Sequence, residues 1–181
     1  MREAKLAGTD EGLVPEGEGW FVLNLRDAAW ATIERGGTWL ALEAEGVPNQ
    51  IGVGAHVLPP GESTGFYHRE GNQEGFLVLE GQCLVVVEGE ERVLRQWDYF
   101  HCPAETGHIM IGGSGEQPCV LFMFGNRLPD AATHYEVEPA AARYSASVAA
   151  PTDSAREAYG ERSPYARVPS PWPPPNDAPA A

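Results

Sequence analysis

Short apolar runs separated by turn-forming residues constrain the fold of this chain more than any other feature. Between residues 20 and 126, β-prone runs such as 50–58 and 82–88 end at breaks such as Pro59-Pro60-Gly61 and Gly89-Glu90. Val, Ile and aromatic residues favour strands, whereas proline cannot donate a hydrogen bond to a β-ladder. Helical segments do not alternate with these runs. The pattern therefore predicts an all-β fold, a single-domain antiparallel sandwich or barrel.

Two of the breaks predict β-hairpins. Gly71-Asn72 would turn a strand at 66–70 back onto a run that begins at Glu74, and Gly89-Glu90 would join two neighbouring strands. A short helical turn is expected at 26–30. The predicted strands are 20–25, 38–43, 50–58, 66–70, 76–79, 82–88, 91–95, 99–102, 108–111 and 119–124.

The chain has 181 residues, which fits one domain with terminal extensions. We expect a polar N-terminal surface arm at 1–19 and a barrel at 20–128. A C-terminal extension follows at 129–181, where Ala, Ser and Pro become frequent. Such a composition is typical of a flexible tail.

Within the extension, a short helix is predicted near 153–159, with Asp153 or Thr152 as its N-cap and Gly160 at its end. The Pro-rich end at 169–175 favours polyproline geometry. Tyr165 and Trp172 could attach this tail to the barrel or to a neighbouring subunit, and we hypothesise the second.

The charge of the chain limits its partners. Lys and Arg number 12 against 26 Asp and Glu, which gives a formal net charge of −14. Nucleic acid and anionic membranes should repel such a protein. Because no apolar run approaches the length of a membrane span, we expect a cytoplasmic protein. The three cysteines, Cys83, Cys102 and Cys119, are expected to be buried and reduced.

Four polar side chains form the candidate functional site. If 66–70 is a strand, His68 and Glu70 point to the same face because side chains alternate along a strand. The predicted hairpin brings Glu74 to the same place, and His108 begins a later apolar run. Two imidazoles and two carboxylates that converge inside a barrel make a site for a divalent metal ion. The alternative is a structural cluster of histidines and carboxylates.

These residues resemble the two sequence motifs of the cupin superfamily. The first motif has Gly, His-x-His, Glu and Gly, and the second has Gly, Pro-x-Gly, His and Asn. The resemblance covers roughly residues 50–126. The matching residues are Gly61, one position further upstream than usual, then His68, Glu74, Gly81, Pro103 and His108. The sequence departs from the motifs at four positions. Trp97 and Glu105 replace glycines, Gly112 replaces the Asn, and Glu70 replaces the second His.

The resemblance implies a small jelly-roll barrel, also called a double-stranded β-helix, that is often a homodimer and holds one metal ion near its middle. It does not name a reaction, because the superfamily contains dioxygenases, decarboxylases, isomerases and ligand sensors. The departure at Glu70 changes the donor set of the metal site. Two carboxylates with two imidazoles favour Mn²⁺ or Fe²⁺ over Cu²⁺, and Zn²⁺ stays possible.

Glu70 has two possible roles. His68, Glu74 and His108 alone form a two-His, one-carboxylate set, which leaves open coordination positions. Glu70 would then be either a fourth ligand or a catalytic general base. We favour the ligand, because the second His of the superfamily motif binds the metal at this position.

The same alternation places further residues. Phe66, Phe76 and Met110 would face inward, as pocket lining or as barrel core. His56 and His101 are expected to be structural, and Tyr67 is expected to face solvent. We predict a metalloenzyme with oxygenase-type or isomerase-type chemistry on a small molecule; the alternative is a module that binds or senses a small ligand without catalysis.

Overall fold

The structure, a computed structural model, describes residues 1–32, 36–44, 46–160 and 165–172. It contains mainly strands, with two short helices near the C-terminus. The elements are β1 (Lys5–Thr9), β2 (Gly12–Glu16), β3 (Trp30–Thr32), β4 (Thr38–Ala41), β5 (Ile51–Leu58), β6 (His68–Glu70), β7 (Glu74–Glu80), β8 (Gln82–Val87), β9 (Glu90–Arg95), β10 (Tyr99–Cys102), β11 (His108–Gly112), β12 (Cys119–Asn126), β13 (Thr133–Tyr135), α1 (Pro139–Ala142), α2 (Ala155–Tyr159) and β14 (Ala166–Val168).

Two antiparallel sheets enclose the barrel interior. The larger has the strand order β10-β7-β12-β5-β4-β3-β14 and the smaller has the order β13-β6-β11-β8-β9. Apolar side chains from both sheets form the inner core, and burying each large one contributes about 1.5–3 kcal/mol. The prediction of an all-β antiparallel barrel is confirmed. The inner core consists of Leu58, Phe76, Val78, Cys83, Val85, Cys102, Met110, Cys119 and Leu121.

The hairpin predicted at Gly71-Asn72 is wrong. Strand β6 pairs with β11 and β13, whereas β7 pairs with β10 and β12, so the two strands lie in different sheets. The amide of Gly71 donates to the carbonyl of Ala132, and the amide of Gln73 donates to the side chain of Asn126. Because other segments take these backbone groups, residues 71–73 form a corner between the sheets. The hairpin predicted at Gly89-Glu90 is present between β8 and β9.

The N-terminal region also differs from expectation. The predicted surface arm contains the β1–β2 hairpin, while 20–25 form no strand apart from an isolated bridge at Trp20. Trp20 and Val22 are exposed, whereas Leu23 and Leu25 are half-buried against the core around Trp30. The run therefore has an inward face, but among the described residues 21–25 pair with no neighbouring strand. At 26–30 the structure has a turn that leads into β3 and no helix. The indole of Trp30 donates to the carbonyl of Leu25.

The C-terminal extension packs on the barrel. Strand β13 adds an edge to the smaller sheet, and the small residues Ala140, Ala141 and Ala146 cover the outer face of that sheet. Tyr67, which we expected to face solvent, is 2% exposed because this segment lies over it. That expectation is therefore wrong.

The last described segment contacts its own barrel. Strand β14 pairs with β3, the rings of Trp172 and Trp30 are 5.1 Å apart, and those of Tyr165 and Trp39 are 6.0 Å apart. The hypothesis that Tyr165 and Trp172 attach the tail to a neighbouring subunit is wrong for these contacts. Of the predicted polyproline segment, 173–175 lie outside the described residues.

The helix predicted near 153–159 is present as α2. Its N-cap is Ser154, whose hydroxyl accepts a hydrogen bond from the amide of Glu157, and neither Asp153 nor Thr152 takes that position. Gly160 ends the helix with φ of 69°, a conformation that glycine adopts without steric cost. In the described part of the chain, α1 and α2 both fall far short of the length and apolar character of a membrane-spanning helix.

Candidate metal centre

Three of the four predicted ligands come together inside the barrel. His68 begins β6, Glu74 begins β7 and His108 begins β11. His68 and His108 are opposite each other in the β6–β11 pair, whereas Glu74 belongs to the facing sheet. One donor atom from each of the three residues lies within 4.8 Å of the other two. The site thus joins both sheets at one point.

The two imidazole rings are held in the same way. Nδ1 of His68 lies 2.7 Å from the carbonyl of Phe66, and Nδ1 of His108 lies 3.1 Å from the carbonyl of Thr106. A carbonyl only accepts, so each Nδ1 carries a proton and donates it. Each ring is therefore left with Nε2 for a metal ion, and such contacts fix the tautomer and orientation of metal-binding histidines.

Glu74 supplies the negative charge of the site. Its Oε2 atom is buried and lies 3.1 Å from Nε2 of His108, yet it makes no well-directed hydrogen bond to the described residues. An ionised oxygen that is removed from water without a partner is costly. A cation between this oxygen and the two Nε2 atoms would remove that cost. The residues present therefore fit a divalent metal ion.

The two histidines titrate in opposite directions without a metal ion. Burial and the nearby His108 ring lower the pKa of His68. Burial also lowers the pKa of His108, but the contacts of its ring with Cys102 and Glu74 outweigh burial and raise this pKa to about 10. Without a metal ion, His108 is therefore protonated at neutral pH, and a metal ion would have to displace this proton in order to bind.

Glu70 is not a member of the three-residue group. It follows His68 by two residues on β6 and is half-buried. Burial and the charge of Glu74 raise the pKa of Glu70, and a hydrogen bond with Asn72 and the positive charges of His108 and Arg127 oppose that increase. The charges of Glu74 and His108 act on the carboxylate of Glu70, but this carboxylate does not belong to the set of three donors. Its role as a fourth ligand stays a prediction.

The three residues predicted for the pocket, Phe66, Phe76 and Met110, lie in two places. The ring of Phe76 is 5.3 Å from the ring of His108, and both Phe76 and Met110 belong to the buried inner core. Phe66 is half-buried and its ring lies 4.8 Å from that of Tyr159. Phe76 and Met110 are therefore core residues in this structure, and Phe66 lies at the contact with the C-terminal extension.

The other two histidines discussed from the sequence, His56 and His101, lie outside the group of three. Nε2 of His56 lies 2.6 Å from the carbonyl of Gly36. His101 is exposed on β10, and its ring is 6.4 Å from that of Tyr99. Two surface clefts of about 240 and 290 Å³ lie beside the N-terminal hairpin, and neither is lined by a member of the group of three.

Sequence reasoning missed several neighbours of the histidines. Sγ of Cys102 is 3.4 Å from Nδ1 of His108, and the ring of Tyr135 is 5.8 Å from that of His68. Tyr135 and Tyr159 belong to the extension, and no local pattern marks them as neighbours of the site. Cys102 was expected to be buried, as it is, but its contact with His108 was not predicted.

Comparisons with known proteins agree with this fold. The sequence model of the cupin domain family matches residues 55–125. No curated protein has a sequence that matches the chain. Many solved structures are similar.

One similar structure is the sugar phosphate isomerase of Silicibacter pomeroyi, with a TM-score of 0.50 and 23% identity over 59% of this chain and 74% of that one. Another is KdgF from a Halomonas species, with a TM-score of 0.51 and 23% identity over 62% of this chain and 98% of that one. A protein from Acidithiobacillus ferrooxidans has a TM-score of 0.45 and 21% identity over 47% of this chain. The match spans only 55% of the length of that protein. At these identities the likeness concerns the fold.

Proposed function

We propose that this chain, whose residues 55–125 match the cupin domain family, binds a divalent metal ion through His68, Glu74 and His108 and acts on a small molecule. The observation that carries the proposal is the buried Oε2 of Glu74, which has no well-directed hydrogen bond among the described residues and lies 3.1 Å from Nε2 of His108. A divalent cation bound here would contact this oxygen and both imidazoles together.

The donor set favours particular metals. Two imidazoles and one carboxylate on one side of the ion are the ligand set of many iron(II) oxygenases, and they leave positions for other ligands. We therefore favour Fe²⁺ or Mn²⁺, with Zn²⁺ as the third candidate. When bound, such an ion would act as a Lewis acid for oxygen-containing groups of a small molecule or as a site for molecular oxygen.

The protein's own residues would perform two tasks beside the ion. Phe76 and Phe100, whose rings stack 5.7 Å apart, lie next to His108 and keep water from that side. Glu70 shares a strand face with His68 and stands outside the group of three, a position suited to a general base that takes a proton from a bound molecule. The type of reaction, oxygenase or isomerase, is left open by these residues.

A second candidate is a module that binds or senses a small ligand at the same site without catalysis. The observation that favours it is the close packing of Phe76 and Phe100 against His108, while the two clefts beside the N-terminal hairpin lie elsewhere. We also propose a homodimer, which rests on the resemblance to the superfamily alone. A cytoplasmic location is supported by the three free, buried cysteines.

The experiment that tests the function begins with anaerobic purification and loading with Fe²⁺ or Mn²⁺. The loaded protein is then screened for oxygen consumption and for isomerisation with panels of small hydroxy acids, sugars and aromatic compounds. The proposal expects turnover that is lost in Glu74→Gln and retained in Glu80→Gln, an exposed position at the other end of β7. Tight ligand binding without turnover would support the second candidate.

A further inference from the structure

We propose that Tyr159 of the C-terminal extension is a positioning residue for the metal ligand His68. The inference rests on the proposed metal function. The hydroxyl of Tyr159 accepts a hydrogen bond from the amide of Phe66 at 3.0 Å, and the carbonyl of Phe66 accepts one from Nδ1 of His68 at 2.7 Å. The two polar groups of one backbone residue thus link the helix α2 to the imidazole.

The segment before His68 depends on the extension for its backbone hydrogen bonds. Residues 65–67 belong to no strand. The amide of Tyr67 donates to the carbonyl of Ala146 at 2.7 Å, and the carbonyl of Tyr67 accepts from the amide of Glu136 at 3.4 Å. Because these partners lie at 136–146, the path of the chain into His68 is set by residues outside the family motifs.

Aromatic rings also link Tyr159 to the imidazole of His68. The ring of Tyr159 lies 4.8 Å from Phe66 and 5.6 Å from Tyr135, and the ring of Tyr135 lies 5.8 Å from His68. Tyr135 is also opposite His68 in the β6–β13 pair. The imidazole of His68 is therefore held by a backbone hydrogen bond below its Nδ1 and by an aromatic ring beside it.

The short helix α2 is anchored where this role requires it. A helix of five residues is unstable on its own, so contacts outside the helix must hold it. The hydroxyl of Thr152 donates to the side chain of Glu157, Nδ1 of His134 contacts the carboxylate of Asp153, and Thr152 forms a β-bridge with Tyr135. These contacts join α2 to β13 and place Tyr159, its last residue, against Phe66.

The test compares Tyr159→Phe with Tyr165→Phe. The first change removes the hydroxyl that accepts from Phe66 and keeps the ring, whereas the second makes the same chemical change at a contact with Trp39. We expect Tyr159→Phe to weaken Mn²⁺ binding, measured by calorimetry, by about tenfold, the lower range for losing an outer partner of a metal-binding histidine. Tyr165→Phe should bind Mn²⁺ as the unaltered protein does.

Two further readouts separate positioning from a general loss of stability. The absorption spectrum of bound Co²⁺ should change in Tyr159→Phe, because the geometry of the His68 ligand changes. In the metal-free variant, ¹⁵N NMR should show that the His68 ring loses its preference for a proton on Nδ1. A mere decrease in stability would alter neither spectrum.

The possible outcomes are distinct. Unchanged Mn²⁺ affinity and an unchanged Co²⁺ spectrum in Tyr159→Phe, with metal bound by the unaltered protein, would overturn the inference and leave the proposed function standing. A weaker affinity with an unchanged spectrum and an unchanged His68 ring would also overturn it, in favour of a structural role. If the unaltered protein binds no metal, both proposals fail.

Discussion

His68 and His108 are opposite each other in the β6–β11 pair, with ring centroids 5.0 Å apart, and each donates its Nδ1 proton to the carbonyl of the residue two positions earlier. Nε2 of His108 lies 3.1 Å from Oε2 of Glu74 in the facing sheet, and one donor atom of His68 lies within 4.8 Å of both residues. An ion bound there would connect the two sheets.

Glu74→Gln should abolish tight metal binding. The change keeps the shape of the side chain and removes the charge that the cation would satisfy. We expect the affinity for Mn²⁺ to fall by more than the roughly 10- to 100-fold that the loss of an outer partner costs. Calorimetric titration measures this, with Glu80→Gln as the matched control on the same strand. Equal affinities in the two variants would remove Glu74 from the ligand set.

Metal affinity should rise with pH in the neutral range. Contacts with Cys102 and Glu74 raise the pKa of His108 to about 10 in the metal-free protein despite its burial, so a metal ion must displace one proton. Displacing one proton makes the apparent affinity increase by about tenfold per pH unit. Titrations with Mn²⁺ between about pH 7 and pH 8.5 measure the slope. A flat profile would mean that His108 is already neutral.

The stability of the metal-free protein should fall as the pH rises above the ordinary range of histidine. The folded-state pKa of His108 is raised, so its contribution is fully present below its unfolded pKa, near 6.5, and is lost as the pH rises through about 10. The lowered pKa of His68 acts in the opposite direction below 6.5. Urea unfolding of the protein and of His108→Gln, with a chelator present, should show the falling limb only in the unaltered protein. The same limb in both would contradict this assignment.

Glu70→Gln should separate the two roles considered for Glu70. Because the structure groups only His68, Glu74 and His108 within 4.8 Å, we expect this variant to retain its metal ion and to lose turnover once a substrate is found. Metal content and reaction rate measured on the same preparation decide the matter. Loss of the metal ion from Glu70→Gln would instead make Glu70 a ligand.

Local chemistry predicted much of the fold. The turn at Gly89-Glu90, the long run that became β5 and the apolar run after His108 all combine a clear pattern with a clear break. The same type of reasoning was wrong at Gly71-Asn72. A turn-forming pair shows where the chain bends, but whether the next strand stays in the same sheet depends on partners such as Ala132 and Asn126, which are distant in sequence.

The site was predictable to a similar extent. Motif spacing identified His68, Glu74 and His108, because these residues begin strands at fixed positions in the barrel. The contribution of the extension was not predictable, since its Ala-rich composition is typical of a tail. In the structure those small side chains allow close packing on the outer face of the barrel, and the packing brings Tyr159 to Phe66. Neither contact has a local sequence signal.

The most direct test of the metal centre is elemental analysis of the protein after anaerobic purification, compared with the double variant His68→Ala/His108→Ala. The matched control is His101→Ala/His134→Ala, which removes two histidines outside the group of three. We predict close to one divalent ion per chain in the unaltered protein and in the control, and almost none in the His68→Ala/His108→Ala variant. Equal metal content in all three proteins, or none in any of them, would contradict the account.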